Sequence, residues 1–119
     1  MPDSQNYLSQ TLTAAGILTD KWFPSSQPSN WIPNDYWRTP VICTLLVDIM
    51  MQTDKVDYTA TLENARNAGE GYLTSCSFYD DLTWWGRLFM HTYDYLKSHS
   101  NPLAQTYLKD AKIVCDQLN

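Results

Sequence analysis

The stretch Ser77–Phe89, "SFYDDLTWWGRLF", sets two adjacent carboxylates between an aromatic residue and a pair of tryptophans. Apolar residues continue from it at helical spacing, so it reads as the start of a helix running from Asp80 or Asp81 to about Lys97. As a helix start it is complete. Asp80 as N-cap accepts the free N–H of Leu82 or Thr83, and Asp81 in the first turn meets the positive end of the helix dipole. Tyr79 and Trp84 then fall at the two positions of a hydrophobic staple. The same arrangement also displays two carboxylates at fixed, divergent positions. A neighbouring pair of this kind divides into one acid and one base, the division that glycoside hydrolysis requires. Tyr79, Trp84 and Trp85 supply flat faces suited to sugar rings. Spacing alone accommodates both readings.

Working outward, the chain reads as all-α, with five helices and one long loop. The first helix spans roughly Ser4–Leu18, with Asp3 or Ser4 as cap and Tyr7, Leu8, Leu12, Ala15 and Leu18 on one face. "DKWFPSSQPSNWIPN" (Asp20–Asn34) follows, with Pro24, Pro28 and Pro33 breaking regular structure. It carries Trp22, Phe23, Trp31 and Ile32, so it is expected to be pinned against the rest of the chain. A second helix starts at Asn34 or Asp35 and continues to about Gln52, with Trp37, Val41, Leu45 and Ile49 as its stripe, widened by Ile42 and Leu46. The third runs from about Asp57 to Thr74 with Tyr58, Leu62, Ala65, Gly69, Tyr72 and Leu73 inward. The fifth is announced by Ser100 or Asn101 as cap and Pro102 in the first turn, and repeats Leu103, Tyr107, Ala111, Val114 and Leu118. Helix, short turn and helix alternate as antiparallel hairpins, so residues 1–119 form one all-α segment. The odd helix count and broad apolar faces imply that further helices, or a second copy of the chain, pack against it.

Composition narrows the functions. Net charge is −5 with no basic run, which argues against a phosphate-backbone or anionic-membrane partner. The longest apolar run, Val41–Met51, is broken by Thr44 and Asp48 and is too short to span a bilayer. The N-terminus lacks the pattern of a signal peptide. The three cysteines, Cys43, Cys76 and Cys115, have no C-x-x-C spacing, and Cys43 and Cys115 fall on apolar helix sides as buried thiols. His91 and His99 are the only histidines and have no metal-site spacing, so neither a metal nor another cofactor is expected. The 5 Trp and 8 Tyr against 3 Phe favour half-wet aromatic surfaces such as clefts.

"FYDDLTWWGRLFMHTYDYL" (Phe78–Leu96) resembles the Y-D-D-x-x-W-W helix of glycoside hydrolase family 76, the α-1,6-mannanases and related fungal cell-wall transglycosidases. "NDYWRTPVICTLLVDIMMQTDKVDY" (Asn34–Tyr58) is similar to the family's preceding helix, and "TYLKDAKIVCDQL" (Thr106–Leu118) to the one that follows the motif. The resemblance implies part of an (α/α)6 barrel, of whose twelve helices the chain holds about five. It implies a retaining mechanism with Asp80 as nucleophile and Asp81 as general acid/base. Tyr79, Trp84 and Trp85 are implied to contact substrate, with Trp31, Tyr36 and Trp37 as further cleft aromatics. The implied partner is α-mannan or another mannose-containing glycan, and members of the family are usually secreted or attached to the cell wall. Gly86 and Arg87 depart from the family pattern, which has small apolar residues there. The competing readings are a non-catalytic helical interaction module and a plain helical bundle with a capping Asp pair.

Overall fold

The computed structural model describes residues 4–22 and 37–119. Five α-helices are present among them: α1 (Ser4–Ile17), α2 (Arg38–Thr53), α3 (Thr59–Leu73), α4 (Tyr79–Ser98) and α5 (Ala104–Leu118), with one π-helical turn, Leu18–Trp22, closing α1. The expected start of the second helix at Asn34 or Asp35 lies outside the described residues, as do Phe23, Trp31, Ile32 and Tyr36.

Within the hairpins α2 packs on α3 and α4 on α5; between them α2 packs on α4 and α3 on α5. Two helical hairpins therefore lie side by side, and α4 is their central member. Its buried residues, Leu82, Trp85, Leu88, Phe89, Thr92, Tyr95 and Leu96, recur at three- and four-residue intervals and form one face. They meet Cys43, Val47 and Met50 of α2, Leu62, Ala65 and Leu73 of α3, and Tyr107, Ala111 and Val114 of α5 in a single core. The first helix is peripheral: only Ala15 of it is buried, against Leu46 and Ile49.

The second helix buries only part of its expected stripe: Ile49 and Leu46 are inside, as is Cys43, but Trp37 and Leu45 are not. Leu45 is 55% exposed and Trp37 46% exposed, while Cys43, Leu46, Val47 and Met50 face the core. A helix apolar on nearly every side has no polar face to orient it, so packing against α4 sets its rotation. Thr44, buried in that helix, is satisfied by donating to the Pro40 carbonyl at 2.7 Å. Pro40 itself sits in the first turn, where no intrahelical N–H is needed. Asp54 ends α2 in the left-handed region (φ 52°), with its N–H on the Met50 carbonyl at 2.9 Å.

The α3–α5 contact is polar at its centre. Arg66 forks onto Glu63 at 3.1 and 3.2 Å and reaches Asp110 on α5 at 3.3 Å. Asp110 is buried, 2% exposed, so this pair is the main charged cross-link of the described core. Helix α5 starts later than expected: Leu103 is its N-cap and makes no side-chain cap bond. Ser100, Asn101 and Pro102 all precede the helix, and Asn101 Oδ1 instead accepts the Leu103 N–H at 3.0 Å in the turn ahead of it. Cys115, expected to be buried, is exposed, whereas Cys43 is fully buried and burial pushes its thiol well above the ordinary range.

Both histidines tie α4, or its C-cap, to the α2 side. His91 Nδ1 lies 3.3 Å from Asp48 Oδ1, and His99 Nε2 lies 3.1 Å from Asp54 Oδ1. His99 Nδ1 is also 2.9 Å from the Tyr95 carbonyl, so both ring nitrogens face acceptors and the charged imidazolium is favoured. Its pKa is accordingly raised above 6.5, first by the Asp54 bond and then by Tyr95. Because the folded value is the higher one, this tether contributes fully below about pH 6.5 and is lost as pH rises through the folded value. We expect the His99 Cε1 resonance to titrate with a midpoint above 6.5. His99→Gln should flatten the fall in urea midpoint between about pH 6 and 8.

Candidate functional site

Helix α4 begins two residues earlier than the capping reading predicts. Phe78 is the N-cap, in extended conformation (φ −103°, ψ 109°), and makes no side-chain cap bond. Its N–H is taken by Cys76 Sγ at 3.3 Å, and its carbonyl accepts the Leu82 N–H at 3.2 Å. Asp80 and Asp81 are therefore the second and third residues of the helix. Neither is its cap, and Tyr79 is not at a staple position. Both carboxylates remain in the first turn, where the helix dipole favours negative charge.

The two aspartates diverge. Asp80 is exposed, and one oxygen accepts the Asp81 backbone N–H at 3.0 Å. Asp81 is half-buried, and its Oδ2 accepts the phenol O–H of Tyr72 at 2.8 Å. Tyr72 is the penultimate residue of α3, and the backbone turns back over it. Its carbonyl receives the N–H groups of Ser75 at 3.1 Å and Cys76 at 2.9 Å. Burial first, then hydrogen bonds with Cys76 and Asp81, push the Tyr72 phenol well above 10, so it stays a donor throughout the neutral range.

The tryptophans part in the same way. A helix turns about 100° per residue, so Asp80 shares a face with Trp84 and Asp81 with Trp85. Trp84 is 37% exposed and Tyr79 65% exposed, and both stay near the pair. Trp85, expected to contact substrate, is instead 1% exposed. It lies beneath α3, where a Cβ on Gly69 would collide with the Trp85 ring. Trp37 stands at the N-cap of α2 with the Arg38 guanidinium 5.1 Å over its ring. Trp31 lies outside the described residues.

Two grooves flank the exposed side of α4. Between α2 and α4, Val41, Leu45, Asp48, Trp84 and Arg87 line a cleft of about 350 Å³. Between α4 and α5, Gly86, Met90, Val114 and Leu118 line an apolar one of about 270 Å³. Val41 and Leu45 are groove residues that the sequence reading assigned to the core, and Tyr72, the partner of Asp81, was assigned only an inward position. Its signal was placement: residues flanking a short interhelical turn are brought together. Among the described residues no cluster of His, Cys, Asp or Glu could hold a metal ion, and no helix is long and apolar enough to cross a membrane. Comparisons with protein families, with curated proteins and with solved structures give no match for this chain.

Proposed function

We propose that the chain is a carbohydrate-active segment of the glycoside hydrolase family 76 kind, acting on α-1,6-linked mannose through Asp80 and Asp81. The observation that carries this reading is the pair itself. Two divergent carboxylates share the first turn of α4, one exposed and one held by Tyr72, beside the exposed rings of Tyr79 and Trp84. The quoted motif supports the same reading, as does the side-by-side pairing of two hairpins. In the proposed reaction an oxygen of Asp80 attacks the anomeric carbon. Asp81 gives its proton to the glycosidic oxygen, and the C–O bond breaks with its electron pair leaving on that oxygen. Water, or another sugar hydroxyl, then attacks the glycosyl ester. It returns its proton to Asp81 and releases Asp80 as the carboxylate.

A second reading is favoured by the apolar α4–α5 groove, with Met90 41% and Leu118 39% exposed. In it the chain is a helical interaction module that packs on further barrel helices or on another copy of itself. One experiment separates the two. Incubated with α-1,6-mannan oligosaccharides, the wild-type chain is expected to bind and cleave. Asp80→Asn and Asp81→Asn should bind with cleavage reduced at least about 100-fold. Binding by wild type without cleavage points to the interaction module. Absence of binding, with the helical circular dichroism intact, removes the carbohydrate reading.

A further inference from the structure

We infer that Tyr72 is the positioning residue for Asp81, fixing its carboxyl so that Oδ1 is the oxygen that exchanges a proton. This rests on the Asp80/Asp81 reading above and adds to it a residue on a different helix. Three hydrogen bonds carry the inference. The Tyr72 phenol donates to Asp81 Oδ2 at 2.8 Å, and the Asp81 N–H donates to Asp80 Oδ1 at 3.0 Å. The Cys76 N–H on the Tyr72 carbonyl, at 2.9 Å, anchors the tyrosine itself. The phenol thus ties the Asp81 carboxylate to α3 while the Asp81 backbone N–H holds the Asp80 carboxylate, and each carboxylate commits one oxygen. Asp81 Oδ1 and Asp80 Oδ2 are left to meet a substrate.

The arrangement suits a group that must act first as an acid and then as a base. A phenol donating to Oδ2 remains well placed whether Asp81 is ionised or carries a proton on Oδ1. Proton loss and gain therefore occur at one oxygen, without rotation of the carboxyl group between the two halves of the reaction. Tyr72 is held firmly enough for this, being half-buried and packed against the main core. Small displacements of a reacting group reduce rates steeply, so the bond is expected to act on turnover more than on substrate binding.

The test compares wild type with Tyr72→Phe, which keeps the ring and deletes the donor. Three-bond couplings should show Asp81 in one χ1 rotamer in wild type and averaged over several in the variant. With α-1,6-mannan oligosaccharides, kcat should fall about tenfold while KM changes less than about twofold. An unchanged single Asp81 rotamer in Tyr72→Phe, or an unchanged kcat, overturns the inference. If wild type does not cleave at all, the Asp80/Asp81 reading falls, and the rotamer measurement still decides whether Tyr72 positions Asp81. If Tyr72→Phe does not fold, Asp81→Ala gives the reciprocal reading. The Tyr72 hydroxyl resonance should then move upfield, as the phenol loses the carboxylate and keeps only its bond with Cys76; an unmoved resonance contradicts the inference.

Discussion

Replacing Trp85 by alanine is expected to lower the unfolding free energy by about 3–5 kcal/mol, a large part of the total stability of a domain this size. The indole is the largest fully buried side chain among the described residues. It stands at one end of a buried aromatic series, its ring centroid 5.8 Å from Phe89, which in turn lies 6.2 Å from Tyr107. Its Nε1–H finds no hydrogen-bond partner among the described residues. Trp85→Phe, which removes that buried donor along with some volume, should therefore cost clearly less than Trp85→Ala. Gly69 is the other half of the same contact. Gly69→Ala gains helix propensity of about 1 kcal/mol but drives a methyl into a buried ring, and overpacking of about 1–3 kcal/mol should dominate. Gly71→Ala is the control: nothing lies within 4 Å of its added Cβ, so it should stabilise. Urea unfolding followed by circular dichroism ranks all four variants. An unaffected midpoint in Trp85→Ala would return Trp85 to the surface and to the substrate.

Arg66→Met should cost a similar amount, about 3–5 kcal/mol at neutral pH, because it leaves Asp110 buried without its cation. Burial already raises the Asp110 pKa above 3.8, and Arg66 is the group that holds it down. A carboxyl with a raised folded pKa favours the folded state at low pH, and that advantage fades as pH rises from about 3.8 through the folded value. Without Arg66 that window widens, so the deficit of the variant should be small near pH 4 and full near pH 7. Adding Asp110→Asn should recover much of the loss, giving a large coupling in a double-mutant cycle. Equal deficits at both pH values, or no recovery, would show that Arg66 acts through Glu63 and packing alone.

Helix number and extent were legible in the sequence where the apolar period is clean. Leu82, Trp85, Phe89, Thr92 and Leu96 repeat at helical spacing, and α4 follows them. The same period separates the tryptophans: Trp85 falls with the core residues, Trp84 with Asp80, Arg87 and His91. That Trp85 is buried was therefore available, and the resemblance drew attention away from it. Which part of the broad α2 stripe is buried was not available, since Val41, Leu45, Leu46 and Ile49 are equally apolar and only contact with the neighbouring helices leaves Leu45 outside and Leu46 and Ile49 inside. The start of α4 was blurred for another reason. A carboxylate stabilises a helix nearly as well in the first turn as at the cap, so Asp80 and Asp81 fit either register, and Cys76 Sγ, a weak acceptor, meets the Phe78 N–H instead. The bond from Tyr72 joins residues nine apart across a turn, and no local periodicity marks it.

The most direct test of the carbohydrate reading is a heteronuclear NMR titration of the chain with α-1,6-mannotriose, following the indole N–H resonances and the backbone amides of α4. The account predicts shifts concentrated at Tyr79, Asp80, Asp81 and the Trp84 indole, with the buried Trp85 indole nearly unmoved. Shifts centred on Met90 and Leu118, or none anywhere at millimolar sugar, would contradict it.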